Sequence, residues 1–216
     1  MIGVYGTSHV SRDSIKVIDE VMAREPDIVA LELDEKRLHA LKSGEQSSPD
    51  TLFLKLLQKV QNRIGEKTGL MPGREMLHAY DKAVEQRVDV ALIDRDIGVT
   101  LTRLKSIRRK EKFKATASLL ATLVLPFGDM KASEIPEDEE IDELIEMLQK
   151  SYPCLYRVLM EERNKLMAMK LAELQERNPE AYIVAFVGAA HKKPVKNILR
   201  AEGYAVGSQS SLAEFQ

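Results

Sequence analysis

The chain has no tryptophan, a single cysteine and no long apolar run. Cys154 by itself cannot close an internal disulfide, which suits a reducing compartment. The longest apolar stretch, TASLLATLVLPFG at 116–128, is interrupted by Thr122 and closed by Pro126, well short of the ~20 residues that span a bilayer. Met1 runs directly into a strand pattern with no secretory leader, so a cytoplasmic location, or the cytoplasmic face of a membrane, is expected. There is no serine nucleophile elbow, phosphate-cradling glycine loop or paired-cysteine motif, and those chemistries are disfavoured. A formal net charge of -2 gives no global signal for nucleic acid.

What is present is an ordinary soluble composition. With 216 residues, 44% hydrophobic and 31% charged, the chain can form one substantial core with a helical elaboration. Residues 2–6 read as a short strand, after which Ser11 can cap a helix whose apolar positions are Ile15, Ile18, Val21 and Met22. DIVALEL at 27–33 is an apolar, β-branched run of the kind covered on both sheet faces, and VDVALID at 88–94 and AYIVAFVG at 181–188 repeat that pattern. Helical patterns occupy 34–42 and resume over roughly 50–86, while YAV at 204–206 adds a last strand. Strands separated by helices indicate an α/β fold with a central, mostly parallel sheet. Between 97 and 178 no strand pattern occurs, so 97–180 is expected to be a helical layer within a single domain spanning 1–216.

Two opposed charge runs lie in that middle. RLKSIRRKEKFK at 103–114 holds seven basic residues, and EIPEDEEIDELIE at 134–146 is dominated by acids. The plain reading is two solvated helix faces; the sharper one is a recognition patch. Five of nine methionines fall between 130 and 169, which suits core filling or an adaptable partner surface.

Ligands of parallel α/β sheets bind beyond the carboxyl ends of the strands. Placing polar residues on those ends gives one constellation: His9 after the first strand, Glu32 and Asp34 after the second, Asp94, Arg95 and Asp96 after the third, His191 after the fourth. Each histidine follows a glycine by three residues, Gly6 and Gly188, where a glycine permits a sharp turn and close backbone approach. Two histidines and a carboxylate suit a divalent metal with open positions, which would activate water. Two rival readings use the same residues. In one, each histidine merely caps its helix. In the other there is no metal, His9 or His191 is a general base oriented by Glu32, and Arg95 holds an oxyanion. Asp94, Arg95 and Asp96 equally suit a structural ion pair closing a loop. Arg163 and Asn164 sit inside a long amphipathic helix and would line a cleft if they face the sheet edge. His39 reads as exposed, and His78 as a helix-surface or packing residue.

Six segments in this order, GTSHVSRDS, DIVALELDEKR, PGREMLHAYDKA, ALIDRDIGVTLTR, EERNKLMAMKL and AFVGAAHKKPVKNIL, resemble the TraB family, the TraB/PrgY/GumN group related to Tiki proteases, erythromycin esterases and ChaN-like haem-binding proteins. The resemblance spans nearly the whole chain. It implies an α/β fold with paired Gly-x-x-His motifs forming the site, carried here by His9 and His191 with Gly6, Gly188 and Glu32. Arg95, Arg163, Gly73 and Glu75 fall in the other matching segments. Tiki-like relatives are metal-dependent proteases, and the TraB branch is linked to shutting down peptide pheromones. Erythromycin esterases hydrolyse without an established need for metal, and ChaN-like proteins bind haem. Members often continue into membrane segments, which implies membrane association through parts not in this sequence.

The expectation is therefore a hydrolase, metal-dependent and peptidase-like, acting on a signalling or pheromone peptide. His9, His191 and Glu32 would hold manganese, cobalt or zinc. Glu75 or Asp94 would assist as acid or base, and Arg95 or Arg163 would take the substrate carboxylate or the oxyanion. The rival is a non-catalytic module sequestering a peptide or haem in the same crevice. A third reading is a homodimer joined through the Met-rich helices and opposed charge runs. No nucleic-acid partner is expected.

Overall fold

A computed structural model describes residues 1–7, 12–44, 73–124 and 138–207. The expectations for Ser11, for His9 and for helix over 50–72 lie outside the described residues. Within them the chain is α/β, and five strands form one sheet: β1 Ile2–Thr7, β2 Ile28–Leu31, β3 Asp89–Leu92, β4 Ile183–Gly188 and β5 Val206–Gly207. The order is β3-β2-β4-β1-β5, and every pair is parallel. Helices α1 Arg12–Met22, α2 Glu35–Ser43 and α3 Arg74–Gln86 precede β3. Between β3 and β4 come α4 Ile97–Ser106, α5 Arg109–Val124, α6 Asp138–Ser151, α7 Pro153–Tyr156, a π-helical turn at Arg157–Glu161 and α8 Glu162–Arg177. Helix α9, Ala189–Ala201, follows β4.

Strand alternation divides the core in two. Val4, Ala30, Ile183, Ala185 and Val187 face Met167, Ala168 and Leu171 of α8 and Val195 and Leu199 of α9. Tyr5, Val29, Leu31, Val184 and Phe186 face Ile18, Val21 and Met22 of α1 and Met76, Ala79 and Ala83 of α3. Successive strand side chains point to opposite faces, so a strand buried on both sides must be apolar at every position. That is why β1, β2 and β4 carry near-continuous apolar runs. Wholly buried Ile2, Leu31, Met167, Leu171, Ile183, Phe186 and Leu199 each contribute roughly 1.5–3 kcal/mol of transfer free energy, so the sheet and its flanking helices dominate stability.

One strand departs from its pattern. The run at 88–94 reads as fully covered, yet β3 is the sheet edge, with Asp89 exposed and Val90–Leu92 half-buried. An apolar run does not say how many neighbours a strand has, and here α3 covers one face while, among the described residues, β2 is the strand paired with β3.

The middle of the chain adds a third cluster, Leu104, Ile107, Ala115, Leu155 and Val158, that holds α4, α5 and α7 with the π-turn as a helical layer beyond the sheet. Among the described residues no helix is long and apolar enough to cross a membrane.

Candidate functional site

Because all strands are parallel, their carboxyl ends share one rim. Thr7, Glu32, Asp94 and Gly188 sit at or just past the ends of β1, β2, β3 and β4. The ladder runs slightly further than the strands, since the Glu32 N–H donates to the Phe186 carbonyl at 3.0 Å and the Asp94 N–H to the Leu33 carbonyl at 3.2 Å. The first turn of α8 reaches this rim and places Arg163 at its centre.

A guanidinium has five N–H donors, and all five of Arg163 are spent. Nε donates to Asp94 Oδ1 at 2.9 Å, and Nη2 donates to Asp94 Oδ2 at 2.8 Å and to Glu32 Oε1. Nη1 donates to the Leu159 carbonyl at 3.2 Å and to His191 Nε2 at 3.1 Å. Burial works against the charge of Arg163, but the carboxylates of Glu32 and Asp94 outweigh it and hold the guanidinium above the ordinary arginine range.

This arrangement assigns the histidine tautomer. Arginine can only donate, so His191 Nε2 accepts, and Nδ1 carries the proton it gives to Asn164 Oδ1 at 2.5 Å. His191, 5% exposed, has that accepting nitrogen 3.5 Å from Glu32 Oε1. Glu32, 4% exposed, takes the Gly188 N–H on its other oxygen at 2.5 Å. Asp94 accepts further bonds from the Arg95 N–H at 2.7 Å and from Arg37 Nη1 at 3.1 Å. Two guanidinium charges, of Arg37 and Arg163, thus balance two carboxylates, which is what allows such a cluster to be buried.

Of the turn and the close approach expected of the glycines, Gly6 provides the close approach and Gly188 neither. Gly188 has φ -56 and ψ 145, open to any residue, and its contribution is the N–H that Glu32 accepts. Gly6 is needed for closeness: a Cβ there would stand 3.2 Å from the Ala189 Cα and 3.0 Å from the Lys192 Cδ. Gly73, at φ 90, opens α3 from the left-handed region, where a side chain is strained.

Of the residues expected at the site, Glu32, Asp94, Arg163 and His191 come together, and His9 lies outside the described residues. Glu75 is buried in the first turn of α3. Asp34 caps α2, accepting the N–H groups of Lys36 and Arg37 on Oδ1. Arg95 turns away from the carboxylates beside it in sequence. Its guanidinium donates to Glu162 at 2.6 Å, to the Val158 carbonyl at 2.8 Å and to Thr100 at 3.1 Å. Asp96 caps α4 and pairs with Lys36 at 2.8 Å. His39 is exposed, and His78 bonds Asp19 at 2.9 Å.

The π-turn explains how two arginines share one helix. Its i+5 register, seen in the bond from the Glu162 N–H to the Arg157 carbonyl, widens the helix just before α8. The neighbouring carbonyls of Val158 and Leu159 then receive Arg95 and Arg163 respectively.

Asn164 was named from the sequence together with Arg163, whereas two further participants, Lys170 and Arg37, were not. Asn164 stands three, four and seven residues before Met167, Ala168 and Leu171, so it is a polar residue on a buried stripe, and that was a readable signal. Lys170, seven after Arg163, donates to the carbonyls of Asp94 at 2.8 Å and Leu92 at 3.3 Å and fixes the end of β3. Arg37 had no signal beyond its place in the first turn after a capping aspartate.

Among the described residues no group of three or more His, Cys, Asp or Glu could hold a metal ion. Two of the expected donors nevertheless stand as ligands of one ion would. Neighbouring ligands ~2.1 Å from a tetrahedral zinc are about 3.4 Å apart, against 3.5 Å between His191 Nε2 and Glu32 Oε1. Arg163 supplies the positive charge between them.

The family model of the TraB/PrgY/gumN family matches residues 2–207. An uncharacterized protein of Methanocaldococcus jannaschii is 33% identical over 92% of this chain and 53% of its own. TraB domain-containing proteins of Bos taurus and Mus musculus are 27% and 26% identical over 81% of this chain and 52% of theirs. The chain spans about half the length of these relatives.

Proposed function

The chain belongs to the TraB/PrgY/gumN family, and from that premise and the buried cluster we propose that the sheet rim is a hydrolytic site cleaving an amide bond, with a signalling or pheromone peptide as the substrate class. The observation that carries this reading is the placement of His191, whose Nε2 is held toward Glu32 and Arg163 while Asn164 engages Nδ1. A neutral imidazole so placed can take a proton from water. Arg163 Nη1, now on Nε2, is positioned to pass to a developing oxyanion as the base is freed. Asp94 and Glu32 keep the guanidinium charged and in place, and the proton taken up by His191 Nε2 is passed on to the leaving amine. Arg95, held by Glu162 and Val158, supports the π-turn rather than the reacting atoms.

In the metal-dependent form of this reading a divalent ion, manganese, cobalt or zinc, would be held by Glu32 and His191 together with His9, and His191 Nε2 would then be a ligand instead of the base. Bound there, it would polarise the carbonyl and acidify water. A second reading, capture of a peptide or haem without turnover, is favoured by one observation: every Arg163 donor is already paired, as in a site built to exchange partners with a ligand. Membrane association and a homodimer are further proposals.

The test is a peptide-library cleavage assay with element-resolved metal analysis on protein purified without a histidine tag. We expect cleavage and its loss in His191→Ala by at least about 100-fold; loss on chelation assigns the activation of water to the ion, and cleavage that resists chelation assigns it to the imidazole. Bound metal or peptide with no turnover under any condition establishes the capture reading instead. Cleavage that survives in His191→Ala removes the proposal.

A further inference from the structure

Beside the cluster lies a second convergence of charge that the proposed chemistry does not use. Glu162, next to Arg163 at the start of α8, meets three arginines from three different segments. Its Oε2 takes Arg95 Nη1 at 2.6 Å, and its Oε1 lies 3.1 Å from Arg103 Nη1 of α4 and 3.8 Å from Arg157 Nε of the π-turn. Each of the three guanidinium nitrogens of Arg95 is engaged, by Thr100, Glu162 and the Val158 carbonyl. The other two arginines are less engaged. Arg103 spends one donor on Glu162 and Arg157 makes only a long ion pair, and their side chains are 54% and 61% exposed.

Three guanidinia thus share one carboxylate, which leaves a surplus of positive charge on a half-exposed ledge. Exposed pairs of this kind hold weakly, about 0–1 kcal/mol, so neither arginine is committed to Glu162. Guanidinium donors in a fixed fork favour carboxylates and other flat oxyanions. The ledge is linked to the proposed reacting groups through the π-turn, whose consecutive carbonyls of Val158 and Leu159 hold Arg95 and Arg163, and through Glu162, the residue before Arg163.

We infer that Arg103 and Arg157 form an anion subsite that takes the free carboxylate at the C-terminal end of a peptide, with Glu162 as the built-in counter-ion that pre-positions both guanidinia. The ligand's being a peptide rests on the proposed function above; the anion preference rests on this ledge alone. The subsite would align a chain end so that an amide near it lies over Arg163 and His191. It also gives the basic run at 103–114 one specific member with a recognition role.

The test is calorimetric binding of N-acetyl trialanine and of its C-terminal amide to the full chain. We expect the free acid to bind about tenfold tighter than the amide, in line with a charge-assisted hydrogen bond of ~1.5 kcal/mol. Inorganic phosphate should compete with the acid and leave the amide unaffected. In Arg103→Gln/Arg157→Gln, both surface changes, the two peptides should bind equally while the melting temperature stays near that of the parent. The same preference should persist in His191→Ala, which separates this subsite from the hydrolytic reading. Equal binding of the two peptides, binding of neither, or a preference that survives the double substitution overturns the inference.

Discussion

At the scale of single residues, Arg163 is the hinge of the site's electrostatics. It is the shared partner of Glu32 and Asp94, and neither carboxylate has access to enough water to be solvated without it. Arg163→Met should therefore leave two buried carboxylates poorly compensated and cost about 3–5 kcal/mol, read as a lowered urea midpoint. Arg163→Lys keeps the charge but loses the planar fork, and should fall between the two. An unchanged midpoint in the methionine variant would mean that the cluster is not formed in solution. From sequence, Glu32, Asp94, Arg163 and His191 were identifiable as candidates because each falls at a strand end or in a matching family segment. Their pairing was not. Arg95, expected to be held by the adjacent acids, is instead taken by Glu162, a residue 67 positions later. A local charge pattern shows which partners are available nearby and nothing about those that arrive by folding.

At the scale of elements, the rim depends on how closely α9 approaches β1. That distance is set at Gly6, where a Cβ would press on the Ala189 backbone and on Lys192. The lysine chain can move, but the helix backbone cannot without shifting His191, two residues on. Gly6→Ala should destabilise by roughly 1–3 kcal/mol and, measured by nitrogen-15 shifts of the imidazole, should disturb the Nδ1-protonated state of His191. A variant with parental stability and an unaltered imidazole would show that the contact relaxes freely. Here too the sequence was partly legible. The glycine three residues before each histidine was visible, but the expected sharp turn is absent at Gly188, whose backbone is ordinary. The π-turn was not legible at all, since Arg95, which bonds one of its carbonyls, lies 63 residues earlier in the chain.

At the scale of the whole molecule, the first strand pairs with β4, near the far end of the described chain, and lies between β4 and β5. Tyr5 marks this junction. Its hydroxyl meets that of Tyr182 at 3.3 Å, and burial first, then this contact, raises its phenol above the ordinary range. An unfolded tyrosine ionises near pH ~10, before the folded one. The linked stability is therefore present in full below that pH and declines as pH rises beyond it. Thermal melts from neutral to strongly alkaline pH should show this decline, and Tyr5→Phe should make it shallower. A slope identical in the two proteins would place the alkaline sensitivity elsewhere.

The sequence by itself determined the α/β class, the four main strands and the rim that carries polar residues, because strand periodicity and apolar coverage are local consequences of side-chain chemistry. It also carried the family. Tertiary structure alone decided that β3 is an edge, that Arg163 stands between Glu32, Asp94 and His191, and that Arg95, Arg103 and Arg157 meet at Glu162. Those outcomes depend on strand order and on where one long helix lands. Both are set by which apolar faces bury each other across the chain, a choice that no short stretch contains.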